Sequence, residues 1–516
     1  MLRPLRTLFR LLVIARTLAR HDALAPLQEL GVAPVIAWIA ARVSRREVPG
    51  RPGQKLAAAL TDLGPSFIKL GQFLSTRADL LGDEIAADLS QLQDRLPPFP
   101  SAAARDTIEA ELERPIADLF ESFEDRPVSA ASIAQVHFAV TRGDDDAPPQ
   151  EVAIKVLRPG VEQAFARDIE LFYTLAELVE GTQPRLRRFK PTEVVRVFEE
   201  TVKIEMDLRM EAAAASELAE NFQGDPSYRV PAVDWQRSSR RVLTLGRLGG
   251  IPLDDKTALL AAGHDLEDVL TKAAQIFFKQ VFRDGFFHGD QHPGNMFVDE
   301  AGNITAVDFG IMGRLDRKTR RYLADMMLAT VSQDYHRLAE VHVEAGYLPA
   351  GQDLDIFAQA LRSVCEPIIG RRLNEISFAR LLAQLFQITE SFAMPVQPQL
   401  LLLQKNMLMA EGISRSLAPD LNIWLLARPL IEDWMRENRG PEARLRESTT
   451  EIVESVKRLP AALTNLASLS DDIAKGGLRL HPETLRAFDA RNRKTGWHLW
   501  ALWIAVAVLA LAILID

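Results

Sequence analysis

The sequence predicts an α+β chain with a lobe of short strands and a lobe of helices. A helical extension stands in front, and one helix long and apolar enough to span a membrane ends the chain. Three observations predict this. At Pro127 short β-branched runs replace the helical pattern of the preceding residues. His288 to Gly310 reads HGDQHPGN, MFVDEAGNITAV and DFG, two loops rich in oxygen ligands joined by a hairpin. Trp497 to Ile515 is a run of 19 residues in which only His498 is strongly polar.

Composition sets bounds. A chain of 516 residues has room for two to four domains, and at 47% hydrophobic and 25% charged it can bury a large core. The single cysteine, Cys365, rules out an internal disulfide and fits a reducing compartment. A net charge of -9 argues against a general nucleic-acid binder. No internal repeat of fixed period is present.

The first segment, residues 1–50, is basic, with eight arginines against Asp22, Glu29 and Glu47. Leu5, Leu8, Leu11, Leu12, Ile14 and Leu18 share one half of a helical wheel, and Arg3, Arg6, Arg10, Arg16 and Arg20 share the other. That amphipathic helix suits an anionic membrane surface, or equally a dock on the protein's own core. Arg10 interrupts the apolar run, so a signal peptide is not expected. Residues 51–125 read as helices, broken and restarted at Gly64-Pro65. Lys69 and Gln72, three apart, share a helix face, and Gly71 between them lets another backbone approach. Leu96-Pro97-Pro98-Phe99-Pro100 is a rigid connector.

Residues 126–250 form the strand-rich lobe. Val128 to His137 reads strand, loop, strand, residues 142–150 make a polar turn, and Val152-Ala153-Ile154-Lys155 is a third strand. Lys155 is the candidate to hold the α- and β-phosphates of a nucleotide. A glycine-rich cover for those phosphates is missing. Ala130, Ala131, Ser132, Ile133, Ala134 and Gln135 stand in its place. Their methyl groups hinder the close backbone approach that glycine permits. Glu205, Asp207 and Glu211 lie on a predicted helix, and one of these acids should pair with Lys155. Arg241 to Leu245 is a strand, and Gly246 to Gly250 links the lobes.

Residues 251–440 are the helical lobe, and their N-terminal part carries the chemistry. Phosphoryl transfer needs a carboxylate at the attacking group and oxygen ligands for magnesium on the phosphates. A D-x-x-x-x-N loop followed by D-F-G is how protein kinases supply both. Asp290 is then the catalytic-loop acid, and Asn295 and Asp308 are the metal ligands. Met296 to Val298 and Ile304 to Val307 form a hairpin through Gly302-Asn303 that returns Asp308 to Asn295. His288 and His292 read as structural histidines bonded to backbone, since no cysteine or third histidine is near in sequence. Residues 441–496 read as a charged helical linker. The span at 497–515 is roughly 28 Å long, about one bilayer core. Arg491, Arg493 and Lys494 precede it, which predicts a single-pass inner-membrane protein with its bulk in the cytoplasm.

Together these residues resemble the UbiB family of atypical, kinase-like proteins of ubiquinone biosynthesis, from about residue 60 to about residue 425. The resemblance rests on Lys69-Leu70-Gly71-Gln72, the alanine-rich loop through Gln135, Glu205-Met206-Asp207, HGDQHPGN and DFG. It implies a protein-kinase-like two-lobed fold, with the N-terminal helical extension laid over the active site. It also implies binding of ATP with Mg2+, ATPase activity and poor or absent protein phosphorylation. The family's pattern places Lys69, Glu205 and Asp207 over the nucleotide, and Glu211 is our choice to pair with Lys155. The sequence departs from the family at Gly289, where alanine is frequent, at Ala134, where glycine is frequent, and at Gly246, where a hinge acid is common. It also has one C-terminal span where relatives often have two.

The expected function is a membrane-anchored atypical kinase or ATPase that supports ubiquinone synthesis, by extracting or presenting polyprenyl intermediates. Its expected partners are ATP, membrane lipid, quinone intermediates and the enzymes that process them. Competing readings are a small-molecule kinase of the aminoglycoside or choline kinase type, which shares HGD-x-x-x-x-N, and a non-catalytic scaffold. Lys69-Leu70-Gly71-Gln72 disfavours the former. The intact set Lys155, Asp290, Asn295 and Asp308 disfavours the latter.

Overall fold

The computed structural model describes residues 10, 13–23, 49–75, 81–89, 92, 96–143, 148–182, 187, 190–349, 351–367, 384, 387–389, 391–394 and 398–419. Residues 1–434 form one compact unit, to which all of these belong. The expected charged linker and the apolar run at 497–515 lie outside the described residues.

The helical extension begins with α1 (Pro52–Leu63) and α2 (Pro65–Ser75). Between them Gly64 sits at φ 105°, a conformation that favours glycine, and Pro65 opens the next helix, where its missing N–H costs nothing. Helix α3 (Asp83–Leu89) packs against both. Gly71 behaves differently from expectation, because side chains and not a backbone approach it. A Cβ there would lie 2.8 Å from Leu60 Cδ1 and 2.5 Å from Leu92 Cδ1. The N-terminal helix at residues 13–20 is docked on this extension. Leu18, Ala19 and Ala23 are buried with Ala59, and Arg10 forms an ion pair with Asp168 at 3.1 Å. Of the two partners the amphipathic pattern allowed, the described part of this helix has taken the protein's own core.

After α4 (Ser101–Leu112) and α5 (Ile116–Leu119) comes β1 (Phe120–Phe123), a strand that sequence reading placed within a helical region. Short strand β2 (Ser129–Ala130), then β3 (Ala134–Thr141) and β4 (Glu151–Leu157) follow. Helices α6 (Val161–Thr182), α7 (Pro191–Glu205) and α8 (Leu208–Asn221) intervene before β5 (Tyr228–Arg229) and β6 (Val242–Gly246). Strands β1, β3, β4 and β6 form an antiparallel sheet in that order, with β2 on β3. Strand β4 alternates in burial, with Val152, Ile154 and Val156 inside and Lys155 on the other face. The single helix expected through Glu205, Asp207 and Glu211 is in fact two. Helix α7 ends at Glu205, and Asp207 caps α8 by accepting from Arg209 N–H.

The second lobe starts with β7 (Ile251–Pro252), α9 (Lys256–Ala261) and α10 (Leu266–Phe278). Helix α10 runs into a π-turn over Lys279–Asp284, then β8 (Phe286–His288). The hairpin β9 (Met296–Val298) and β10 (Ile304–Ala306) pairs antiparallel, with Gly302 at φ 77° in its turn. Strand β11 (Met312–Arg314) pairs back on β8, and α11 (Arg317–Val331), α12 (Tyr335–Glu344), α13 (Leu354–Cys365) and α14 (Pro398–Leu417) complete the lobe. One core runs through extension and both lobes, from Leu60 and Phe67 through Phe165 and Phe198 to Met296 and Phe309.

This corrects the expected fold class in one respect. Helical extension, strand-rich lobe and helical lobe are present, but no helix among the described residues is long and apolar enough to cross a membrane. The expected span at 497–515 lies outside the described residues, so the fold as described holds no transmembrane helix, and the membrane anchor and single-pass inner-membrane location are not carried forward.

Candidate active site

The site is built at the joint between the two lobes. Strand β4 presents Lys155 on its open face, and α8 presents Glu211 one turn after its cap. Lys155 Nζ donates to Glu211 Oε1 at 2.8 Å and Oε2 at 2.9 Å, and to Asp308 Oδ1 at 3.0 Å. Of the three acids sequence reading left open, Glu211 is the one that meets Lys155. Glu211 is 6% exposed, so burial pushes its carboxyl up, to about 7. The Asp308 side chain is half-exposed, and the Lys155 ammonium holds it well below the usual carboxylate range. Lys155 is itself desolvated, but Asp308 and Glu211 outweigh that and keep it charged.

The catalytic-loop residues follow from β8. Gln280 in the π-turn is fully buried and accepts His288 N–H through Oε1 at 2.9 Å. His288 is buried, and burial lowers its imidazole pKa. Its Nδ1 accepts Asp290 N–H at 3.1 Å, so the proton of the neutral ring sits on Nε2. Its ring meets Phe309 edge-on at 5.7 Å, which ties HGD to DFG through a packed pair. His292 Nδ1 accepts Gly294 N–H at 3.0 Å. Both histidines therefore serve the loop's shape. Among the described residues no group of three or more His, Cys, Asp or Glu side chains could hold a metal.

Asn295 Nδ2 donates to Asp290 O at 3.2 Å, which leaves Oδ1 as the end a cation would take. Val307 N–H donates to Asn295 O at 2.9 Å, so the hairpin ends side by side and Asp308 arrives next to Asn295. Asp308 has φ 64°, a left-handed conformation that aspartate tolerates better than most residues. One carboxylate and one amide oxygen suit magnesium, which keeps waters and takes its remaining ligands from phosphates. At Gly289, a Cβ would stand 2.9 Å from Ile311 Cγ2 and 3.1 Å from Ile311 O, a physical reason for glycine at this departure from the family's pattern.

Two segments were expected to cover this cleft. The alanine-rich loop is a tight turn in which Ala131 N–H donates to Ala134 O at 2.8 Å. Ala131 O accepts from Arg158 at 3.1 Å, a contact that no motif announced. Ser132, Ile133, Ala134 and Gln135 are buried, and Ala130 pairs with Gln135 in the sheet. Gln135 turns its amide to the Phe99 backbone, accepting N–H at 3.0 Å and donating to the carbonyl at 3.3 Å. The second segment is α2. Lys69 Nζ pairs with Glu205 at 2.9 Å, and Gln72 Nε2 donates to Leu92 O at 3.3 Å. Asp207 is engaged with Arg209, whose hydrogen bond lowers its pKa. Sequence reading missed Lys405 and Asn406 on α14. Lys405 Nζ lies 2.7 Å from Asp290 Oδ1, and Asn406 is buried against the loop backbone. Nothing in QKNMLMAEG marks them, because their role comes from a contact more than a hundred residues away in sequence.

Comparison with known proteins bears on this geometry. A family model described as the ABC1 atypical kinase-like domain matches residues 91–342, and one described as the UbiB helical domain matches residues 361–422. A "Probable protein kinase UbiB" of Marinobacter nauticus is 44% identical over 412 residues, covering 79% of this chain and 74% of its own. The protein of that name from Xanthomonas campestris pv. campestris is 40% identical over 508 residues, covering 95% and 90%. Rv3197 of Mycobacterium tuberculosis, solved with erythromycin, shares the fold at a TM-score of 0.51 and 22% identity, covering 77% of this chain and 97% of its own.

Proposed function

Because the chain belongs to the UbiB family of ABC1 atypical kinase-like proteins, we propose that Lys155, Glu211, Asp290, Asn295 and Asp308 bind and turn over Mg-ATP in support of ubiquinone synthesis. The kinase-like architecture makes the protein an enzyme with ATP-binding kinase-like activity. The observation that carries the residue-level reading is the three-way contact of Lys155 with Glu211 and Asp308, all within 3.0 Å.

In this reading Lys155 holds the α- and β-phosphates, and Glu211 fixes its ammonium in place. Asn295 and Asp308 would hold magnesium, which supplies charge neutralisation on the β- and γ-phosphates. Asp290 orients the attacking oxygen and takes its proton. Lys69 on α2 and Glu205 at the end of α7 close the cleft, and with Asp207 they keep a bulky protein acceptor away from the γ-phosphate. Ala130 to Gln135 cover the nucleotide loosely, since the turn spends Ala131 N–H on itself. The partners are then ATP, polyprenyl quinone intermediates and the enzymes that process them.

The test is Lys155→Met. Burial raises the Glu211 pKa and the Lys155 charge lowers it, so with the lysine gone Glu211 can take up a proton instead of remaining a buried charge, and the fold should survive. Magnesium-dependent ATP hydrolysis should fall by roughly two orders of magnitude or more, with loss of quinone rescue in a deletion strain. Full hydrolysis by a folded Lys155→Met protein would sink the assignment.

A further inference from the structure

The acid that orients the attacking group is held by a lysine from the far end of the lobe. Lys405 on α14 reaches Asp290 Oδ1 at 2.7 Å, with both side chains about a third exposed, at 38% and 30%. The next residue, Asn406, is fully buried. It donates from Nδ2 to His288 O and accepts Gln291 N–H at 3.3 Å through Oδ1. The helix backbone is thus pinned to the catalytic loop on both sides of Asp290, while Lys405 keeps a flexible four-carbon stem.

The loop itself offers no such cation. Between Asp290 and Asn295 stand Gln291, His292, Pro293 and Gly294, and His292 Nδ1 is turned inward to Gly294 N–H. Lys155 is engaged by Glu211 and Asp308, and Lys69 by Glu205. Among the described residues Lys405 is the cation beside Asp290. A phosphoryl group in transfer spreads charge over three equatorial oxygens, and in the proposed function Asp290 would stand at the attacking group while Asn295 and Asp308 would hold the magnesium that offsets part of that charge. Lys405 occupies Oδ1 of Asp290, which leaves Oδ2 to accept an attacking hydroxyl or water, and a γ-phosphoryl oxygen arriving beside the pair is a second acceptor for the same ammonium. On its flexible four-carbon stem that ammonium can exchange the carboxylate for such an oxygen.

We propose that Lys405 is a further catalytic residue, which leaves Asp290 on nucleotide binding and donates to the γ-phosphoryl oxygens during transfer. In that step the attacking oxygen forms the new bond to phosphorus, and its proton goes to Asp290. The bond from phosphorus to the bridging oxygen breaks, and its electron pair leaves with ADP. Lys405 keeps its proton throughout and offsets charge. The inference rests on the proposed Mg-ATP function.

The experiment uses the full chain and its Lys405→Met and Lys405→Arg variants, with ATP and ADP affinities in magnesium and single-turnover ATP hydrolysis. Lys405→Met should leave ADP affinity within about twofold, weaken ATP about tenfold and slow hydrolysis about a hundredfold or more. Lys405→Arg should recover part of both, and it carries the test alone if the methionine variant does not fold. Equal loss of ATP and ADP affinity with a lower melting temperature would make the contact structural and overturn the proposal. So would unchanged or faster hydrolysis, which would make the ion pair a brake. If the wild-type chain neither binds nor hydrolyses ATP in magnesium, the function itself fails and this inference falls with it.

Discussion

Ala131 N–H donates to Ala134 O at 2.8 Å, so the turn where phosphate-facing amides would stand closes on itself. In the proposed function the alanine methyl groups keep the backbone from the nucleotide, and the internal hydrogen bond uses a donor that a phosphate could take. Ala131→Gly removes the Cβ and widens the turn's conformational range, which frees the N–H groups to face the phosphates. Tighter ATP binding is the expected outcome, together with poorer rescue of quinone synthesis, because a tightly held nucleotide slows turnover. Titrating both proteins with ATP, with and without magnesium, checks it. Unchanged or weaker affinity would show that the alanine turn is not what limits phosphate contact.

At the scale of one element, α14 carries an acid that the proposed chemistry does not use. Glu411 is 5% exposed, and burial raises its carboxyl to about 8 against the opposing pull of Arg415 one turn on. A group whose pKa is raised in the fold stabilises fully below its unfolded value of 4.5, and that contribution is lost as pH rises through about 8. Ionising Glu411 therefore weakens the seat of the helix that brings Lys405 and Asn406 to the catalytic loop. Glu411→Gln keeps the shape and cannot ionise. Its melting temperature should match wild type near pH 5 and exceed it by about 2–4 °C above about pH 8. Parallel pH profiles for the two proteins would contradict a buried, titrating Glu411.

Across the molecule, what the sequence disclosed divides by how local its cause is. The hairpin from Met296 to Ala306 and the break at Gly64-Pro65 follow from turn chemistry within a few residues, and both stand where they were expected. Asp207 was misread because a cap and a helix interior look alike in a periodic stretch, and only α8's start distinguishes them. Strand β1 was missed because Phe120–Phe123 is short and its pairing partner lies beyond Ala134. The amphipathic pattern of the N-terminal helix could not choose its own partner, since a membrane surface and a protein core reward the same face. Lys405 was silent for the same reason. Its meaning lies in Asp290, 115 residues away.

In the proposed function Asp308, held ionised by Lys155 at 3.0 Å, ties nucleotide binding to magnesium. Calorimetric titration of ATP into wild-type and Asp308→Asn protein, each with magnesium and with chelator, tests it most directly. An amide replaces a charged oxygen ligand poorly. Magnesium should tighten ATP binding to the wild type by at least about tenfold, and the folded variant should show no such gain. Equal magnesium-dependent affinity in the two proteins would contradict it.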